Sequence, residues 1–189
     1  MHKGLRITFN SPVVLTFVFV SFAVMILNYA TGGVSNNLLF VTYRSSLLNP
    51  LTYLRFFTHV LGHAGWEHYI SNMMMILVTG PMLEEKYGSK AILEVILVTA
   101  LSVGVINYVL FPGVALLGAS GVVFAFILMT SFTGFHEGEI PLTVILVAVI
   151  YIGLQVFEGI FVQDDVSQMG HIVGGFVGAV AGYQLNKKD

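Results

Sequence analysis

The stretch LLGASGVVFAF, residues 116–126, sets a serine between two small residues inside one of the most apolar regions of the chain. Before it comes FPGVALLG, residues 111–118, with a proline and two glycines. Pro and Gly punctuate regular structure, so a helix starts at Ser120 and non-helical backbone leads into it. About 14 residues separate Ser120 from Gly134, roughly 21 Å of helix at 1.5 Å per residue. A bilayer core is about 30 Å thick. If the Gly134 end sits at one interface, Ser120 stops about 10 Å short of the other. Non-helical backbone at that depth must be buried in protein or line a wet cavity. The stretch therefore implies a pit that admits water.

The solvent follows from the composition. Of 189 residues, 56% are hydrophobic and 10% charged. A soluble domain carries roughly 25% charged residues, so lipid must cover most of this exterior. The 20 glycines suit close helix packing in a bilayer. With no cysteine, disulfides, thiolate metal sites and a cysteine nucleophile are excluded.

Six apolar segments are candidate spans: residues 12–30, 67–83, 91–111, 120–133, 141–157 and 168–185. The expected fold is all-α, a single six-helix transmembrane catalytic domain over 1–189. The basic start could precede a cleaved signal segment, but the apolar run is long and lacks an A-x-A site, so it reads as a retained first helix. With six spans, Lys3, Arg6, Lys86, Lys90, Lys187 and Lys188 fall on one side, Arg44 and Arg55 on the other. The positive-inside rule then puts both termini in the cytoplasm. The connection from residue 31 to 66 is too long and apolar for a plain loop, and short helices lying in the outer interface are expected there.

Polar residues inside a membrane are costly and mark function by default. Ser120, His68, Asn72 and His171 stand out. His171 lies about 16 residues from Lys187, so it matches Ser120 in depth. Below it, Gly174, Gly175, Gly178 and Gly182 line the same helical face. A small-residue ridge lets a partner helix approach closely, and Gly121 with Ala125 offers the matching face. Such packing brings the Ser120 hydroxyl within hydrogen-bond reach of His171. A serine needs a base to become a nucleophile, and a neutral imidazole serves near pH 7. No carboxylate neighbours His171 within the membrane, so the expectation is a Ser–His dyad. His68 and Asn72, four apart on one face, and the Ser120 amide at a helix start are candidate oxyanion donors. Phe124, one turn from Ser120, is placed to stack on His171.

Each residue has a plainer reading. A lone serine among small residues is ordinary packing, Asn72 is interhelical glue and His171 is a helix contact or proton relay. The combination of matched depth, a short helix and a facing glycine ridge favours chemistry. The nucleophile elbow G-x-S-x-G is absent, because Val122 stands at its last glycine. His59, His63 and His68 have chelating spacing, but H-E-x-x-H is missing and no intramembrane carboxylate supplies a base, so no metal or cofactor is expected. His59 and His63 instead read as hydrogen bonds tying the first connection to the second span.

Together Gly118-Ala119-Ser120-Gly121, His68-x-x-x-Asn72-Met73 and His171-x-x-Gly174-x-x-x-Gly178 resemble the rhomboid intramembrane serine proteases, in particular the small bacterial GlpG type. The resemblance spans about Pro12 to Leu185. It implies Ser120 as nucleophile, His171 as general base, and His68, Asn72 and the Ser120 amide around the oxyanion, with Gly118, Gly121 and Phe124 in support. It implies a mobile gate formed by the fifth span and residues 158–168. It implies single-span membrane proteins as substrates, no nucleic-acid partner, and a bacterial inner membrane with the site open to the periplasm. Two departures are visible: Leu54-Arg55 where the family often has Trp-Arg, and Phe124 where it often has Tyr. With neither an extra soluble domain nor a seventh helix, the chain reads as close to a minimal core. A catalytically silent relative that escorts membrane clients, or a proton-linked transporter, is the competing expectation.

Overall fold

A computed structural model describes residues 8–134, 139–161 and 165–187, with the side chains of 151, 152, 154–161 and 165–167 left aside. Among the described residues the protein is mostly helical: α1 (Pro12–Ala30), α2 (Pro50–Thr58), α3 (Trp66–Tyr87), α4 (Ser89–Leu110), α5 (Ser120–Ser131), α6 (Leu142–Phe161) and α7 (Asp165–Asn186). Two of these, α1 and α4, are long and apolar enough by themselves to cross a membrane. Lys3, Arg6, Lys188, Asp164 and residues 135–138 lie outside the described residues.

The apolar runs mark the helices, and their ends show what the runs could not. Pro12 at the first helical position pre-sets φ for α1. Its free N–H groups are capped by a residue far along the chain. Glu84 of α3 is buried, and its two carboxylate oxygens accept from the Val13 and Val14 amides, each at 2.9 Å. Ser89, at the start of α4, donates to the same carboxylate at 2.7 Å. One acid thus satisfies the opening turn of α1, where negative charge also suits the helix dipole. On the same turn Lys86 donates to the Thr133 carbonyl beyond α5, and Asn186 at the end of α7 donates to the Tyr87 hydroxyl at 2.7 Å. The α3–α4 turn therefore fastens one end of the bundle.

At the other end, the first connection is folded rather than loose. It holds a π-turn over Asn36–Phe40, α2, and a 3₁₀ turn over His59–Leu61. Arg55 is buried; its Nε donates to the Leu38 carbonyl at 2.9 Å and its guanidinium lies 4.5 Å from the Tyr43 ring centre. Thr42 and Leu116 exchange both backbone hydrogen bonds at 2.9 Å, so the non-helical run before Ser120 is stitched to this connection.

Two expectations need correction. His59 does not tie the connection to α3: its Nε2–H donates to the Ala100 carbonyl of α4 at 2.9 Å. The cause is Gly104 of α4, where a Cβ would sit 2.9 Å from the Phe56 backbone, so only glycine lets α2 lie that close. His63 faces α3 through ring contacts, 5.1 Å from His68 and 5.5 Å from Tyr69, rather than through the expected hydrogen bond, which runs instead to the Leu61 carbonyl. The second correction concerns residues 158–168, expected as a loop. Here α6 continues to Phe161 and α7 begins at Asp165, leaving 162–164 between them outside the described residues.

Candidate active site

The site is assembled around the first turn of α5. Ala119 precedes it as N-cap without a side-chain hydrogen bond, so the amides of that turn have no side-chain cap. Ser120 itself is half-buried. The twelve residues of α5 make about 18 Å of helix.

On one side stands α3. Gly118 has φ +127°, a conformation side chains rarely adopt. A Cβ there would meet the His68 ring at 2.6 Å from Cε1 and 2.7 Å from Nε2. The imidazole of His68 thus lies against the backbone two residues before Ser120, and glycine is the only residue that leaves it room. The Gly118 amide is held by the His59 carbonyl at 2.9 Å, which fixes this approach from behind. Asn72, one turn further along α3, is buried, and its Nδ2 has no hydrogen-bond partner among the described residues. A buried amide donor without an acceptor is costly, so its place needs a reason.

On the other side stands α7. Gly174 packs on the Gly121 backbone and Gly178 on the Ala125 backbone so closely that a Cβ at either would overlap the facing carbonyl. A Cβ on Gly121 would in turn lie 3.3 Å from the carbonyl of Gly170, the residue before His171. Helices meet this closely only through glycine. The contact carries the His171 ring onto Phe124, with centroids 4.4 Å apart and planes tilted by 46°.

The backbone before and after Ser120 is therefore touched by two different helices: Gly118 by His68 of α3, and Gly121 by the turn of α7 that bears His171. His59 and His63 are engaged elsewhere, donating to the carbonyls of Ala100 and Leu61 at 2.9 and 3.2 Å. Burial holds both imidazoles well below their ordinary range, to about 4 for each; for His63 the neighbouring His68 adds to the effect, and the backbone bonds oppose it. The sequence reading missed the Thr42–Leu116 pairing and the role of Glu84. A polar residue in an apolar run was the available signal for Glu84, but its position beside Glu85 and Lys86 disguised it as a solvated turn.

A Rhomboid domain model matches residues 50–188. The chain is 31% identical over 160 residues to Rhomboid-related protein 2 of Mus musculus, covering 74% of this chain and 53% of that protein. It is 28% identical over 138 residues to Rhomboid-related protein 1 of Caenorhabditis elegans, covering 68% of this chain and 39% of that protein. The chain thus spans about half the length, or less, of these relatives. The matched region holds His68, Asn72, Ser120 and His171, and the family with its long apolar helices points to an integral membrane protein. The chain belongs to the rhomboid family.

Proposed function

We propose that this protein is an intramembrane serine endopeptidase that cleaves single-span membrane proteins with a Ser120–His171 dyad. The observation that carries the proposal is the packing around α5: the glycine contacts of α7 put the His171 ring on Phe124, one turn from Ser120, while His68 rests on Gly118 from the other side. In the proposed reaction His171 takes the Ser120 proton as the hydroxyl oxygen attacks the scissile carbonyl. The oxyanion is met by the Ser120 amide, the His68 ring and the unpartnered Asn72 Nδ2–H. His171 then returns the proton to the leaving amine, and water repeats the cycle on the acyl-enzyme. The buried Asn72 donor is accounted for, since its acceptor arrives with the substrate.

The proposed topology has six spans, α1 and α3 to α7, with both termini in the cytoplasm and α2 in the outer interface. The small bacterial GlpG type, a bacterial inner membrane and a periplasmic opening are proposed on the resemblance of the His68, Ser120 and His171 motifs alone. A helix hides its carbonyls in hydrogen bonds, so substrates with helix-weakening residues at the cut are preferred. The test is cleavage of a reconstituted single-span substrate. Ser120→Ala and His171→Ala should each abolish it while the helical content is kept. Full activity in either variant contradicts the dyad, and a folded protein whose Ser120 takes no serine-directed covalent label favours the escort reading.

A further inference from the structure

We infer that the side-chain oxygen of Gln168 is a substrate-binding group, which accepts a backbone N–H of the unwound substrate close to the scissile bond. The inference rests on the proposed peptidase and adds a contact to its dyad and oxyanion donors. Gln168 lies in the first turn of α7 and is 7% exposed. Its Oε1 is buried with no hydrogen-bond partner among the described residues. A buried oxygen left unpaired is unfavourable, and an apolar side chain would fill the same space without that cost. Asn72 shows the same condition with the opposite polarity: it holds out a donor, Gln168 an acceptor.

The contact of α5 with α7 gives the position. Gly174 meets Gly121 and Gly178 meets Ala125, so the two helices run in the same direction. Ser120, one residue before Gly121, is the first residue of α5. Gln168 is six residues before Gly174, roughly 9 Å along the axis. Thus α7 continues past the start of α5, and Gln168 stands about 7 Å beyond the level of Ser120. It precedes His171 by three residues, on the same side of the helix. An extended chain advances about 3.3–3.6 Å per residue. A substrate strand that leaves Ser120 along α7 therefore passes Gln168 with its second or third residue from the cut.

The chemistry of the substrate requires such a group. A helix must unwind to be cut, and each residue that unwinds frees an N–H as well as a carbonyl. At membrane depth an unpaired N–H is costly. The groups proposed around the oxyanion, namely the Ser120 amide, His68 and Asn72, all act as donors. They suit a carbonyl oxygen and offer nothing to a freed N–H. Gln168 supplies the missing acceptor, on the helix that carries His171.

The experiment uses the reconstituted full chain and its Gln168→Leu variant. A synthetic single-span substrate gives KM and kcat, and a fluorophosphonate gives the labelling rate of Ser120. The variant should raise KM about three- to tenfold, the effect of one lost hydrogen bond, with kcat and the labelling rate unchanged. Its thermal midpoint should equal or exceed that of the unaltered protein, because the unpaired oxygen is gone. Substrates with an ester in place of one amide, within three residues of the cut, each lack one N–H. With one of these esters the variant and the unaltered protein should have the same KM. An effect of Gln168→Leu that persists with every ester would overturn the inference. So would a slower labelling rate, since Gln168 would then act through His171. A midpoint lowered in both Gln168→Leu and Gln168→Met would show that the fold itself uses the oxygen, and would overturn it too. Labelled Ser120 with an unchanged KM in the variant overturns this inference alone, whereas an unaltered protein that takes no label overturns the dyad and this inference with it.

Discussion

Asn72 holds a buried amide whose Nδ2–H has no acceptor among the described residues, on the helix that presses His68 against Gly118. As a packing residue it would be replaced by an apolar side chain at little cost, because an unmade buried hydrogen bond is unfavourable. As an oxyanion donor it must be left open until the transition state forms. The two roles separate experimentally. Asn72→Ala should lower kcat by about 10²–10³, the loss typical of one oxyanion donor, with little change in KM. Steady-state cleavage of a reconstituted substrate measures both, and a changed KM with unchanged kcat would contradict the role. Residue type and spacing made His68, Asn72, Ser120 and His171 candidates. The state of the Asn72 amide among the described residues was not legible, because it depends on the side chains that pack around it in space and not on its own segment.

At the scale of the elements, the contact of α5 with α7 is the joint on which the site depends. Gly178 leaves no space for a side chain against the Ala125 carbonyl, and backbone cannot yield as a flexible side chain can. Gly178→Val should therefore destabilise the fold by ~3 kcal/mol, the upper part of the usual overpacking range, and separate His171 from α5. Unfolding in mixed micelles measures the first effect, and loss of cleavage below the midpoint the second. The glycine ridge was readable in the sequence because its period is that of a helix. The ends and attachments of elements were less so. Glu84 caps α1 across some seventy positions of chain, and His59 bonds to α4 because Gly104 opens a path to that helix rather than to α3. Neither choice is encoded within the segment that makes it.

Across the whole molecule, the first connection bears the clearest pH dependence. His59 and His63 are held neutral in the fold, with values near 4 against 6.5 for an ordinary histidine. The unfolded chain therefore binds more protons between these limits, and stability rises with pH across that window. The stabilisation is complete above about pH 6.5 and is lost as pH falls toward 4; for His59 the loss is ~3 kcal/mol by pH 4. Thermal unfolding in detergent from pH 7 to pH 4 should show a falling midpoint, with a flatter slope in His59→Gln. A midpoint independent of pH in that range would contradict the buried, neutral state of both rings. Class and solvent were legible at this scale from 10% charged residues alone. The folding of the first connection onto α4 and onto the run before Ser120 was not, since it rests on the Thr42–Leu116 pairing and on Gly104.

The central claim is that Ser120 is a nucleophile activated by His171. Its most direct measurement is covalent labelling of the detergent-solubilised protein with a fluorophosphonate, followed by peptide mass mapping. The account predicts a single adduct on Ser120, absent in His171→Ala protein of unchanged helicity. A folded protein that takes no adduct at Ser120, or labels there equally well without His171, would contradict it.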